Sequence, residues 1–170
     1  NDVKNANNFV ASNKESIYKV LSWYFNVPDA PEISGLTNDE IFKLYSHTSC
    51  ETIYTTKIKS TDINRYQSSV KNAPCQFQEL IIKKYEYRIN VVGSDIFTAK
   101  INSQHKEHTR LDWRKDQLAD MYSISGLPKN IEDKIVEFHK RSGLVIAAYD
   151  FIEDINGEFY FLECNPGGQW

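Results

Sequence analysis

The chain has 170 residues, a net charge of −3, 41% hydrophobic and 13% aromatic residues, enough for one or two small domains with a real core and too apolar for a disordered chain. No block of basic residues favours nucleic acid as a partner, and no apolar run approaches a membrane span or a signal peptide, so neither nucleic acid nor membrane is expected. Cys50, Cys75 and Cys164 are scattered and lack CxxC spacing, which fits the reducing cytoplasm and argues against a disulfide frame or a zinc site. Both ends, Asn1 and Trp170, read as cuts through a longer protein.

Residues 1–11 are polar and Asn-rich and carry no clear signal. Ser12 followed by Glu15 matches a capping box, and Ile17, Val20, Leu21 and Tyr24 recur at helical spacing, so a helix is expected to end before Pro28. Thr37 and Glu40 form a second capping box, opening a short helix to His47 with Ile41, Phe42 and Tyr45 on its apolar side. The β-branched run Thr52–Ile58 predicts a strand, and the polar stretch Ser60–Ala73 a loop with a short helical piece.

The apolar run Phe77–Ile82 switches at Lys83-Lys84 into Tyr85–Val92, and Gly93-Ser94 separates this from Asp95–Ile101. A glycine first in a two-residue loop suits a hairpin and sets Arg88 opposite Ala99. Glu86, Arg88 and Asn90 then share one face. That trio reads either as a cross-strand ion-pair network or as ligand-binding groups. Residues 102–125 are polar and charged and read as a linker or mobile loop. Within it, Arg110 and Arg114 flank Trp113, and guanidinium forks suit phosphate or carboxylate; a solvated charge cluster is the other reading. His105 and His108 stand three apart without a third ligand nearby. Pro128–Arg141 is a predicted helix with Ile131, Ile135 and Phe138 on its apolar face and Gly143 as its stop.

The last stretch, Leu144–Gln169, holds Asn156-Gly157 between two apolar-aromatic runs, the pattern of a two-residue type I′ hairpin. Its register pairs Ile155 with Glu158 and therefore Asp150 with Glu163, with Asn165 on the same face. Carboxylates opposed at Cβ distances of about 5 Å repel. Hard oxygen donors without His or Cys suit Mg²⁺, with Mn²⁺ as the alternative. A solvated hairpin face remains the competing reading, since this register also puts Ile152 and Phe161 there.

Three segments carry a family resemblance: FQELIIKKYEYRINVVG, TRLDWR, and LVIAAYDFIEDINGEFYFLECNPGGQW. With them the chain resembles the ATP-grasp ligases, and more closely the peptide maturases that cross-link ribosomally made precursors, the microviridin-type and grasp-with-spasm graspetide ligases. The resemblance implies an α+β ATP-grasp fold in which two subdomains grip ATP between antiparallel sheets. Residues 1–74 would form a partial small subdomain, joined across Ser46–Thr52 from segments not contiguous in the native chain. Residues 75–170 would form the C-terminal subdomain, and the family's N-terminal domain would be missing.

By the same resemblance, Asp150, Glu163 and Asn165 match the magnesium ligands, and Glu79, Leu80 and Ile81, with Gln78 beside them, match the hinge that binds adenine. Glu86 matches the acidic position near the ribose. Arg88 matches the arginine facing the terminal phosphate, and Arg110 and Arg114 match basic residues near the phosphates or the incoming carboxylate. The family's phosphate-binding lysine has no counterpart near Cys50, and Lys43 is a poor substitute. The implied reaction activates Asp or Glu side chains of a precursor peptide as acyl phosphates with ATP and Mg²⁺. Ser or Thr hydroxyls (ester) or Lys amines (amide) of the same peptide then displace phosphate. The partner is a precursor peptide with a leader and a Thr/Ser/Lys plus Asp/Glu core, and the enzyme is a homodimer. Three other readings stay open: an ATP-grasp ligase adding a free amino acid, a non-catalytic peptide-binding module of the same shape, and a structural α+β domain.

Overall fold

A computed structural model describes residues 2–20, 35, 37, 39–40, 54–72, 75–116 and 119–167. The chain divides into two compact units, Asn1–Glu79 and Leu80–Trp170.

In the first unit, helix α1 (Val3–Ser12) is followed by strand β1 (Ser16–Val20). Strand β2 (Thr56–Ile58), helices α2 (Ser60–Arg65) and α3 (Gln67–Asn72), and strand β3 (Cys75–Glu79) come later in the chain. The sheet order is β2-β1-β3, all antiparallel. Here a stretch without a sequence signal is helical, and one expectation fails. The Asn-rich start is a helix: Asp2 caps it by accepting from the N–H groups of Lys4 (2.9 Å) and Asn5 (3.2 Å). Ala6 and Val10, one turn apart, are buried against Ile63 and Val70. Residues 16–20 are a strand, not a helix. Ser-Ile-Tyr-Lys-Val fits alternation as well as helical spacing, and pairing on both sides with β2 and β3 decides between them. Ser12 accordingly closes α1, its hydroxyl donating to the Phe9 carbonyl (2.8 Å), and Glu15 pairs with Lys57 (2.9 Å). The Thr37–Glu40 capping box forms: the Thr37 N–H reaches Glu40 Oε2 (2.9 Å) and the Glu40 N–H reaches Thr37 Oγ1 (3.4 Å). The rest of that predicted helix, Lys43, residues 46–53 and the terminal Gly-Gln-Trp lie outside the described residues.

Among its described residues the second unit is a five-stranded antiparallel sheet with one α-helix. Its strands are β4 (Lys83–Val92), β5 (Asp95–Ile101), β6 (Tyr122–Ile124), β7 (Ile146–Asp154) and β8 (Phe159–Asn165), in the order β6-β5-β4-β7-β8. Helix α4 (Lys129–Arg141) packs on one face. Ile131 and Ile135 meet the odd-numbered residues of β4 and β7, with Ile89 and Ala147 fully buried. Gly143 takes φ +66°, the left-handed conformation that ends a helix at low steric cost. Gly93 takes φ +61° in the β4–β5 turn, and Arg88 stands opposite Ala99 as expected.

The expected division at 74/75 differs from the observed one by the length of β3, which pairs with β1 in the first unit. Residues 102–116 are not a linker. Three 3₁₀ turns (Glu107–Thr109, Trp113–Lys115, Ala119–Met121) lead into β6, and Ser103, Thr109, Asp112 and Met121 are buried. The segment folds because its polar groups satisfy its own backbone: Thr109 Oγ1 donates to the carbonyls of Ser103 (2.7 Å) and Lys106 (2.9 Å). Across the polar stretch 60–72, Asp62 accepts from the Lys59 N–H (2.8 Å) and Ile63 is buried, so the expected short helical piece is two short helices with little loop between them.

Candidate active site

The β7–β8 hairpin carries the acidic residues, and its turn is not the predicted one. The Gly157 N–H donates to the Asp154 carbonyl (3.2 Å) and the Asp154 N–H to the Glu158 carbonyl (2.9 Å), with Gly157 at φ +85°. This is a three-residue loop closed by a left-handed glycine, not a two-residue type I′ turn. Asp154 is the residue the pattern missed: its carboxylate accepts from the N–H groups of Asn156 (2.8 Å) and Glu158 (2.9 Å) and from Asn156 Nδ2 (3.2 Å). These donors, Glu158 first, hold its carboxyl below the usual range.

The longer loop shifts the pairing by one residue, so Phe151 faces Phe161. A bulge at Leu162 then shifts it back, and Asp150 faces Glu163 after all. The bulge also divides the side chains. Phe161 moves to the helix side, meeting Phe151 edge-on (5.4 Å between ring centroids) and Phe138 at a tilt (6.0 Å), instead of joining Ile152 on the acidic face.

The face away from α4 therefore gathers five of the candidate residues. Arg88 on β4 stands opposite Asp150 on β7, which stands opposite Glu163 on β8. Arg88 Nη1 lies 3.0 and 2.9 Å from the two oxygens of Asp150, the cross-strand ion pair weighed above. Asn165 Nδ2 donates to Glu163 Oε1 (2.8 Å). Burial pushes the Asp150 carboxyl up to about 6; Arg88 pulls it down, and the Glu163 carboxylate opposite raises it again. A divalent cation would relieve the repulsion between the two opposed carboxylates and compete with the proton on Asp150. The oxygen donors fit such an ion. Among the described residues no three His, Cys, Asp or Glu side chains gather at one point, and Asn165 is a further oxygen donor beside Glu163.

At the other end of this face Glu86 is buried and committed to Lys83 Nζ (2.7 Å), which also donates to the Leu111 carbonyl (3.1 Å). In the sequence Lys83-Lys84 marks only the switch between two apolar runs. Tyr122 lies beside Glu86 and Asp116; burial first, then these two charges, raise its phenol. Trp113 meets Tyr122 edge-on at 6.0 Å, which brings the TRLDWR segment to this end of the sheet.

The two arginines of that segment differ. Arg114 is forked onto buried Asp112, Nε to Oδ1 (2.9 Å) and Nη2 to Oδ2 (2.6 Å), while Arg110 is exposed and makes a long contact to the Gln104 carbonyl (3.4 Å). Gln78 and Glu79 lie in β3 of the first unit, Gln78 with a buried Oε1 that has no hydrogen-bond partner, and Leu80 and Ile81 lie between β3 and β4. Asn90, on the Arg88 face, also has a buried, unpartnered side-chain oxygen.

No protein-family model and no curated protein matches the sequence. Solved structures do. A RiPP-associated ATP-grasp ligase of Chryseobacterium gregarium, in complex with ADP and a leader and core peptide, is 26% identical with a TM-score of 0.80 over 99% of this chain and 45% of that one. Macrocyclase MdnC of Microcystis aeruginosa MRC, bound with precursor peptide MdnA, is 25% identical with a TM-score of 0.74, covering 99% of this chain and 45% of that one. The ATP-grasp ligase PsnB, 16% identical with a TM-score of 0.64 over 99% of this chain and 42% of that one, shares the fold. The chain thus has the ATP-grasp fold, α+β with antiparallel sheets. Within that fold it is similar to the RiPP-associated ligases, those acting on ribosomally made peptides, and it spans just under half the length of those chains, 45% in both.

Proposed function

We propose that the protein is an ATP-dependent ligase of the graspetide type, which joins Asp or Glu side chains of a precursor peptide to hydroxyl or amine side chains of the same peptide. The observation that carries this reading is the row Arg88–Asp150–Glu163, with Asn165 beside it, on one face of the five-stranded sheet. A peptide carboxylate attacks the γ-phosphate of ATP, giving an acyl phosphate and ADP. A Ser or Thr hydroxyl, or a Lys amine, then attacks the acyl carbon, phosphate leaves, and the nucleophile loses its proton.

Carboxylate and triphosphate repel each other, so the first step needs fixed positive charge. Asp150, Glu163 and Asn165 would hold Mg²⁺, or Mn²⁺, which when bound neutralises phosphate charge. Arg88 stabilises the charge that builds on the transferring group, having exchanged Asp150 for phosphate oxygens. Positioning supplies much of the remaining acceleration in phosphoryl transfer. In this reading Gln78, Glu79, Leu80 and Ile81 bind adenine and Glu86 lies near the ribose. Arg110 meets the incoming carboxylate, and Arg114, forked onto Asp112, shapes the loop that presents it. The active form is a homodimer.

The test is incubation with ATP, Mg²⁺ and a candidate precursor peptide, followed by mass spectrometry and ADP release. Cross-linking removes one water, about 18 Da, per bond formed, the stoichiometry of acyl activation followed by intramolecular displacement. A gain of one residue instead would mark an amino-acid-adding ligase. No mass change and no ADP would sink the catalytic reading.

A further inference from the structure

Asn90 is a polar group on the Arg88 face that the proposed reaction leaves unused. It is half-buried, and its side-chain oxygen is buried with no hydrogen-bond partner. Its neighbours on that face offer no donor. Phe97 stands opposite it on β5 and Ala148 on β7, Val92 follows two residues on, and the Arg88 guanidinium turns to Asp150. An amide oxygen buried without a partner carries its full desolvation cost. A leucine, of similar size, would avoid that cost, so the amide answers a need outside the fold.

Along β4 the proposed roles are ordered, with Glu86 near the ribose and Arg88 at the transferring phosphate. Successive residues of one strand face lie roughly 7 Å apart, so Asn90 stands one step past the phosphate, away from the nucleotide. In phosphoryl transfer the attacking oxygen enters in line, opposite the leaving ADP. On this reading the acyl carbon of the acyl phosphate faces the Asn90 row. That row, Phe97–Asn90–Ala148–Asn165, carries no formal charge, in contrast to Arg88–Asp150–Glu163 one step back. A carboxylate meets no cation there. A hydroxyl or a neutral amine fits, because it brings the donor that the Asn90 oxygen lacks, and an uncharged row does not hold an amine in its protonated form. The last torsion of an asparagine side chain is broad, so the half-buried amide can turn its oxygen to a donor on the open face.

We propose that Asn90 Oδ1 receives and orients the nucleophile of the peptide, accepting from a Ser or Thr O–H or a Lys N–H while the nucleophile's lone pair meets the acyl carbon. This rests on the reading of the protein as a peptide cross-linking ligase and deepens it by assigning a residue to the second step. The new C–O or C–N bond forms as the acyl C–O bond to phosphate breaks. The electron pair leaves with phosphate, which takes up the nucleophile's proton. Without the amide oxygen the nucleophile is misaligned, and water or another small nucleophile takes the acyl group instead.

The test uses the full-length protein, ATP, Mg²⁺ and a precursor peptide already shown to lose water with the wild-type protein. It reads bonds formed, by mass spectrometry, against ADP released, with hydroxylamine added in parallel to trap the acyl phosphate as a hydroxamate. Asn90→Leu should lower the bonds formed per ADP released by about tenfold or more, with hydroxamate in their place. Asn90→Asp, which keeps an oxygen in position, should hold the ratio near that of wild type. The urea midpoint of Asn90→Leu should match or exceed wild type, because an unpaired polar group is gone. Asn90→Ala reads the same ratio if the leucine variant does not fold. A wild-type ratio in the leucine or alanine variant would overturn the proposal. So would loss of both ADP release and hydroxamate in folded protein, which would place the amide in the first step, or an equally low ratio in Asn90→Asp. If no peptide loses water or yields ADP with wild-type protein, the ligase reading falls and the proposal with it.

Discussion

On the helix side of the five-stranded sheet, Ile89, Val91, Ala147 and Tyr149 are at most 1% exposed and pack on Ile135. On the other side the same strands present Arg88, Asp150 and Glu163, with the Arg88 and Asp150 side chains 21% and 22% exposed. Alternate residues of one strand thus meet opposite requirements. The first set gains by leaving water. The second holds two carboxylates against each other, a costly arrangement that one arginine only partly offsets. The lesson is that stability and chemistry are separated by the pleat itself, so the acidic row can carry strain without disturbing the core behind it.

Four substitutions or titrations sharpen that contrast, from the largest effect to the smallest. Ile89→Ala on the helix side should destabilise the protein by about 2–5 kcal/mol, read as a lower urea midpoint, because it leaves a cavity in close packing. Glu163→Gln on the polar side should do the reverse of that pattern. Turnover should fall on the order of 10²-fold or more, while the urea midpoint of the cation-free protein stays level or rises as the Asp150 repulsion is relieved. A large stability loss in Glu163→Gln would break the separation of the two faces.

The third is a pH dependence. Asp150 titrates at about 6 in the folded protein, above its ordinary value of 3.8, because of burial and then Glu163 acting against Arg88. For a raised carboxylate, the stability it contributes is present below its unfolded value and lost as pH climbs through the folded one. The cation-free protein should therefore lose stability from about pH 4 to about pH 6, a loss that Asp150→Asn removes. Mn²⁺ affinity should move the opposite way, falling roughly tenfold per pH unit below that pKa as a proton competes for the site. Titrations across this range by denaturation and by Mn²⁺ binding read both slopes. The smallest effect is expected at Gly157→Ala. Nothing lies within 4 Å of the added methyl, so the cost is that of φ +85° alone, roughly 1 kcal/mol. Thermal unfolding measures it.

Much of the site was legible in the sequence, though not always for the stated reason. The β4–β5 register followed from Gly93-Ser94, because a two-residue loop leaves no freedom. Asp150 opposite Glu163 was also read correctly, yet by two departures that cancel: a loop one residue longer, held by Asp154, and a bulge at Leu162. Arg114 reads as a ligand candidate from the two arginines flanking Trp113, and the structure adds its fork onto Asp112, two residues away.

By itself the sequence determined the elements whose cause is local. These are the helix α4 with its glycine stop, the Thr37–Glu40 cap and the β4–β5 turn. The tertiary structure decided what depends on partners distant in the chain. Strand pairing on both sides made residues 16–20 a strand. Burial of Thr109 and Asp112 ordered the charged segment, and burial set the proton affinity of Asp150. The reason is one of range: capping and turn chemistry act over three or four residues, whereas pairing and desolvation need the rest of the fold in place before they act at all.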